Sequence, residues 1–303
     1  MIKNFYKVEN LIKRILVKAL SRRAYTKYLK RQIKLQEDEV AILCPHNSGE
    51  TYLICSAIDS FKKKHGVDKV ILIGGKKYHQ QIFEMFTHQI DRYFFLEEKY
   101  LYRPKYYLDV KKGTFFLSTN SLWHTLINHG IAHFDVLKIC AHLGKDVELS
   151  PPLIQEKYQI SAQDKFDRLF LTKGETVLIS PEAISAKSLP ISFWQKICEK
   201  LRIKGYDVFL NIMDKKNEIE GVKTDYLNFS EAFLFAQMCG HVIALRSGFC
   251  EVISGANVNF QIIYNDLSHS TYSMKPIIKK NLTEYVFNEH SSDDLINDIL
   301  KSF

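Results

Sequence analysis

Short apolar runs, each closed by small or polar residues, alternate along most of this chain with stretches whose apolar residues recur at three- and four-residue steps. Strands buried on both faces read as continuous apolar runs, and amphipathic helices as the stepped pattern, so the alternation predicts βαβ units with parallel sheets. The pattern is clearest from Glu175 to Glu251. Thr176 to Ile179 is an apolar run too brief for a helix and is stopped by Ser180-Pro181. After a loop carrying Lys187, Pro190 opens a helix with Phe193, Trp194, Ile197 and Leu201 on one face. Gly205 is placed to end it, and Tyr206 to Ile212 is the next strand. Ser230 with Glu231 is expected at the start of the following helix, as N-cap and as a charge that suits the positive helix end, and Gly240 at its close. His241 to Leu245 then runs as a strand into Arg246-Ser247-Gly248, after which Phe249 to Ser254 begins another helix.

The first half repeats the rhythm. Val40 to Cys44 is closed by Pro45, and HNSGETYL leads into a helix ending near Lys64-His65-Gly66. Lys69 to Ile73 with Gly74-Gly75, a helix around Tyr78 to Thr87, and strands at Arg92 to Leu96 and Thr114 to Leu117 follow. The chain therefore reads as α/β, with two Rossmann-like, doubly wound domains facing one cleft. The expected domains are residues 36–160 and 161–290, joined by the polar stretch Lys145 to Lys173 with its Pro151-Pro152. A last helix over 291–303 presents Leu295, Ile296, Ile299 and Leu300 at helical spacing, with Ser291 or Ser292 as cap. With 303 residues, 46% of them hydrophobic, the chain can bury two cores of ordinary domain size.

Ligands of open parallel sheets bind where the strands end, and here polar and small residues collect at those ends: Ser180, Asn211, and the Arg246-Ser247-Gly248 turn. A turn of small residues before a helix leaves backbone N–H groups for an anion, so the pattern points to a phosphate-bearing ligand. Arg246 suits bidentate contact with a diphosphate, or else an ion pair with Glu251. Lys187 is either a phosphate contact or a solvated loop lysine, and Ser247 and Gly248 also serve simply to make a tight turn. Gly74-Gly75 is not G-x-G-x-x-G and no Walker A sequence occurs, which argues against a Rossmann dehydrogenase and a P-loop NTPase.

The order strand, S-P-E-A, Lys187, Pro190, Trp194, Gly205, strand, then strand and R-S-G-F-C-E resembles the C-terminal half of GT-B glycosyltransferases, in particular the bacterial heptosyltransferase-like group of lipopolysaccharide and capsule synthesis. The resemblance implies a nucleotide-sugar donor held by the second half, with Lys187 near its phosphates and Ser247-Gly248 facing the diphosphate. It also implies a C-terminal helix that crosses back onto the first domain. Where those enzymes carry Asp-Thr-Gly and a following His, this chain has Arg246-Ser247-Gly248 and Glu251, a departure that bears on the donor sugar. A carboxylate after a glycine beyond the first strand is the expected base of such enzymes, and Gly49-Glu50 stands there; Glu50 also reads as an ordinary helix-dipole residue. His46 is the other candidate base. Asn47 and Ser48 either cap the helix or touch acceptor hydroxyls. No D-x-D metal site is present, so no cofactor or essential metal is expected, the nucleotide-sugar being substrate.

Charge adds one more element. The formal net charge is +8, yet residues 1–35 alone hold eleven Lys or Arg against the single acid Glu9, so the remainder is near neutral. Phe5, Val8, Ile12, Ile15 and Ala19 share one helical face, which reads as a basic amphipathic helix lying on an anionic membrane or packed on its own domain. It is too charged to span a bilayer and lacks the marks of a signal peptide, so a cytoplasmic protein, peripheral on the inner face of the cell membrane, is expected, with a glycan or lipid-linked acceptor. No C-x-x-C occurs among the six cysteines, which read as buried thiols. His124, His129, His133 and His142 form a loose cluster that lacks zinc-ligand spacing. Lys99 to Tyr107 is an aromatic and basic acceptor-loop candidate. Rival functions are a nucleotide-sugar-binding hydrolase, epimerase or non-catalytic subunit, and a nucleic-acid-binding protein, which the near-neutral remainder disfavours.

Overall fold

The computed structural model describes residues 31–36, 38–44, 47–97, 107–109, 114–116, 126–141, 143–144, 146–184, 186–265 and 269–303. His46, most of the 1–35 segment and most of the 99–107 loop lie outside the described residues.

The first half comprises β1 (Glu39–Leu43), α1 (Ser48–Ser56), α2 (Ile58–His65), β2 (Lys69–Gly74), α3 (Lys77–Glu84), β3 (Arg92–Phe95), β4 (Tyr107–Asp109), β5 (Thr114–Phe116) and α4 (His133–Cys140). Its sheet runs β3-β2-β1-β5-β4, parallel except for the antiparallel edge pair of β4 and β5. The second half comprises α5 (Glu156–Arg168), β6 (Thr176–Ser180), α6 (Ile191–Ile203), β7 (Asp207–Asn211), β8 (Lys223–Asp225), α7 (Phe229–Cys239), β9 (Gly240–Leu245), α8 (Gly248–Val252), β10 (Asn259–Tyr264), α9 (His269–Tyr272), β11 (Leu282–Val286) and α10 (Ser292–Ile299). Its six strands, in the order β11-β10-β9-β6-β7-β8, are all parallel.

The apolar runs are strands because both faces are covered. In β6, Val177 and Ile179 join a core with Trp194, Ile197 and Leu201 of α6, while Leu178 points to the other face, against Phe235 and Phe209. That second core also takes in Val40, Ile42, Leu53 and Phe86 of the first half, so one hydrophobic cluster runs through the helices of both halves.

One expectation needs correction, and two segments gain detail. The polar stretch Lys145 to Lys173 holds a regular helix, α5, which buries only Ala162 and Phe166 and so lacks the apolar stripe that would have shown it. Polar contacts fasten it instead: Ser161 Oγ and Lys165 Nζ donate to Glu231 at 2.6 and 2.9 Å, and Tyr158 donates to Glu84 of α3 at 2.7 Å. The cap of α7 is Asn228, whose Oδ1 accepts from the Glu231 N–H at 3.0 Å while Glu231 accepts from the Asn228 N–H at 3.1 Å; Ser230 is buried in the first turn. The last helix, α10, packs on α6, with Lys196 to Asp293 at 2.7 Å and Lys200 to Asn297 at 2.9 Å.

Candidate functional site

Each half offers the helix that follows a central strand. β1 leads into α1 and β9 into α8, and these helices pack on each other, so the C-terminal edges of the two sheets come together there. Glycine sets the closeness. A Cβ on Gly49 would lie 2.8 Å from Glu251 Oε2 and 3.0 Å from Gly248 Cα, and one on Gly248 would lie 2.5 Å from Ser48 Oγ and 2.9 Å from the Gly49 nitrogen. Neither glycine has a positive φ, so what fixes the residue type is space.

At this contact a chain of ionisable groups crosses from one half to the other. Arg246 forks onto Glu251, its Nη1 at 3.0 Å from Oε2 and its Nη2 at 2.5 Å from Oε1. Its Nη1 also donates to the Ser247 carbonyl at 2.8 Å and its Nε to the Tyr272 carbonyl at 3.0 Å. Burial opposes the guanidinium charge, but Glu251 raises the Arg246 pKa beyond the usual arginine value. On the far side of Glu251 is His133, Nδ1 at 3.9 Å from Oε1, and the other ring nitrogen is 3.4 Å from Glu50 Oε1. The Arg246 side chain is 12% accessible, Glu251 and His133 are 2% and 5%, and Glu50, at 21%, is the most exposed of the four. Glu50, in the first turn of α1, is therefore the member that reaches solvent.

The residues read from sequence divide accordingly. Arg246 is the ion-pair partner of Glu251. Glu251 is buried and faces Arg246 and His133. α1 lies against the Ser247-Gly248 turn, and Ser247 is buried. Asn211 spends its Oδ1 on the Leu227 N–H at 3.0 Å, which ties the end of β7 to the entry of α7. Ser180 stands buried at the end of β6. Lys187 is exposed on its loop, and its carbonyl accepts from Asn265 Nδ2 at 2.6 Å just beyond β10. Asn47 is exposed, and its side chain makes no cap bond to α1, while Ser48 Oγ abuts Gly248.

Two residues were missed. His133 meets Glu50 within the first half, and Glu251 comes to it from the second. Glu182 accepts from the Met213 and Asp214 N–H groups at 2.7 and 3.2 Å and from Asn217 at 2.6 Å, joining the loops after β6 and β7. A surface hollow lined by Gln159, Gln163, Lys173, Leu234 and Gln237 lies at the opposite strand edge, away from this chemistry. Among the described residues no group of His, Cys, Asp and Glu could hold a metal ion, and no helix is long and apolar enough to cross a membrane. The described cysteines Cys44, Cys55, Cys198, Cys239 and Cys250 are free and buried.

The chain matches no protein-family model and no curated protein. Among solved structures it is similar to a glycosyl transferase family 9 protein from Veillonella parvula, with a TM-score of 0.64 at 13% identity over 87% of this chain and 92% of that one. It is also similar to the E. coli ADP-heptose lps heptosyltransferase II, with a TM-score of 0.61 at 10% identity over 87% of this chain and 98% of that one. A third likeness is to the E. coli heptosyltransferase WaaC with ADP-2-deoxy-2-fluoro heptose, at a TM-score of 0.55 and 12% identity, covering 87% and 99%. These likenesses establish the fold, two Rossmann-like halves of the GT-B type.

Proposed function

We propose that this chain is a metal-independent glycosyltransferase that moves a sugar from a nucleotide-sugar to a surface-glycan acceptor of the lipopolysaccharide or capsule kind. The observation that carries the reading is Glu50, a part-exposed carboxylate in the first turn of α1, at the contact between the C-terminal edges of the two sheets. In this reading Glu50 takes the proton of the acceptor hydroxyl as its oxygen bonds to the anomeric carbon and the bond to the nucleoside diphosphate breaks. The leaving diphosphate needs positive charge, and Lys187, exposed beside the end of β10, supplies it together with donor contacts at Ser180. Asn47, exposed at the head of α1, is the acceptor contact, and Ser48 follows it. The basic segment 1–35 brings the enzyme to an anionic surface that carries a lipid-linked acceptor.

The test is a thermal-shift panel of nucleoside diphosphates and nucleotide-sugars, ADP-heptose among them, with and without EDTA, followed by transfer assays on wild type and Glu50→Gln. A donor at about a hundred times its Kd adds roughly 2.7 kcal/mol to stability. A selective, EDTA-insensitive shift that Lys187→Ala weakens, with Glu50→Gln binding donor but not transferring, is the expected result. Full transfer by Glu50→Gln removes the base, and binding without transfer by wild type favours a nucleotide-sugar-binding subunit or hydrolase.

A further inference from the structure

His133 has no part in the reaction as written above, yet it lies beside carboxylates of both halves at this site. It opens α4 and is 4% exposed. The groups facing it are Glu50 from α1, Glu251 from α8 and the Tyr272 ring from α9, whose centroid is 5.3 Å away; Arg246 stands behind Glu251. A histidine kept only for packing has no need of a carboxylate at each nitrogen. Here the ring is aimed so that one nitrogen serves the part-exposed Glu50 and the other the buried Glu251. Glu251 is itself fixed, because Arg246 forks onto both its oxygens. Glu251, at 3.9 Å, borders the ring without a hydrogen bond, while the other ring nitrogen is at hydrogen-bond distance from Glu50, 3.4 Å, so the imidazole is placed to orient that carboxylate.

We propose that His133 is a positioning residue that holds the Glu50 carboxylate in the orientation for proton abstraction, with Glu251, fixed by Arg246, bordering the other side of the ring. The proposal rests on the transferase reading for what Glu50 does, but not for the contact itself. It gives the R-S-G-F-C-E segment a task other than donor binding: the second half orients the base of the first.

The experiment uses the full chain labelled with ¹⁵N-histidine. Long-range ¹H–¹⁵N correlation of the His133 ring, assigned by its loss in His133→Gln, is recorded for wild type, Glu50→Gln and Glu251→Gln. The expected result is that Glu50→Gln moves the Nε2 resonance and Glu251→Gln the Nδ1 resonance. Kinetics complete it: His133→Phe lowers kcat by about 10- to 100-fold with the donor KM unchanged, as a misplaced catalytic group does, and His133→Gln, which keeps an N–H donor, restores part of the loss. Thermal unfolding of each variant checks that it folds. Ring resonances indifferent to both glutamate substitutions overturn the proposal whatever the activity, as does unchanged kcat in a folded His133→Phe. Coupled resonances with no transfer by wild type from any donor overturn the transferase reading, and the proton-abstraction role with it, leaving only the contact.

Discussion

Adding one methyl group at Gly248 tests the geometry of the site directly. The new Cβ would sit 2.5 Å from Ser48 Oγ and 2.9 Å from the Gly49 backbone nitrogen, where ordinary van der Waals contact requires 3.4 Å or more. The hydroxyl can turn aside, but the backbone nitrogen belongs to the first turn of α1 and moves only with the helix. Overpacking of this kind costs about 1–3 kcal/mol, and the helix-propensity gain of alanine over glycine offsets up to about 1 kcal/mol of it. A net loss of about 1–2 kcal/mol is expected for Gly248→Ala, read as a urea midpoint lower by about 0.5 M. Ser48→Ala in the same chain removes the 2.5 Å contact and should return part of the loss, whereas Gly49→Ala, which meets the immobile Glu251 at 2.8 Å, should cost more. Gly144→Ala is the control, since nothing lies within 4 Å of its Cβ. A Gly248→Ala protein as stable as that control would refute the claim that the two halves meet through glycine backbone.

Removing one member of the Arg246–Glu251 pair, as in Glu251→Ala, leaves a buried guanidinium uncompensated and should cost about 3–5 kcal/mol by chemical denaturation, with the double change Arg246→Met/Glu251→Met costing well under the sum of the two singles. Asn228→Ala removes the cap of α7 and should lower stability by about 1 kcal/mol, a loss that Asn228→Asp or Asn228→Ser largely avoids. For Asp207, burial works to raise the carboxyl pKa, but Lys223 and Thr172 more than offset it and hold the pKa below 3.8. Its lowered folded-state value means its contribution is full above the unfolded pKa and disappears as pH falls through the folded one. Wild type should therefore exceed Asp207→Asn in stability by a constant margin above the ordinary aspartate range, with the margin closing as pH falls below that range in pH-stepped denaturation; a margin that persists in strong acid would disprove the pairing.

The fold was legible because strands buried on both faces leave uninterrupted apolar runs, as at Val177 to Ile179, and because Gly205 and Gly240 punctuate the helices between them. α5 was not, because it is held by Ser161, Lys165 and Tyr158, whose partners Glu231 and Glu84 lie far off in the chain. The same limit applied at the site. Glu50 could be read from its place after Gly49, a local signal, and the alternative pairing of Arg246 with Glu251 was visible at a five-residue spacing. That pairing won because Glu251 is buried beside a mostly covered guanidinium, and burial is a property of the whole fold. His133 was noticed only for its spacing from His129; no local pattern says that Glu50 and Glu251 will both come to it.

The hydrophobic cluster that runs through both halves makes them poor candidates for exchange. Leu53 and Phe86 on one side and Phe235 and Val242 on the other belong to the same buried mass, and the connecting segment is stitched to the first half by Ser150 N–H on the Ser56 carbonyl and Leu153 N–H on the Met85 carbonyl, both at 2.8 Å. A chimera that grafts the second half of a structural relative onto this first half would thus inherit a mismatched interior as well as a new ligand surface. On the transferase proposal, donor choice changes at the strand-end loops, residue by residue, and not by swapping modules.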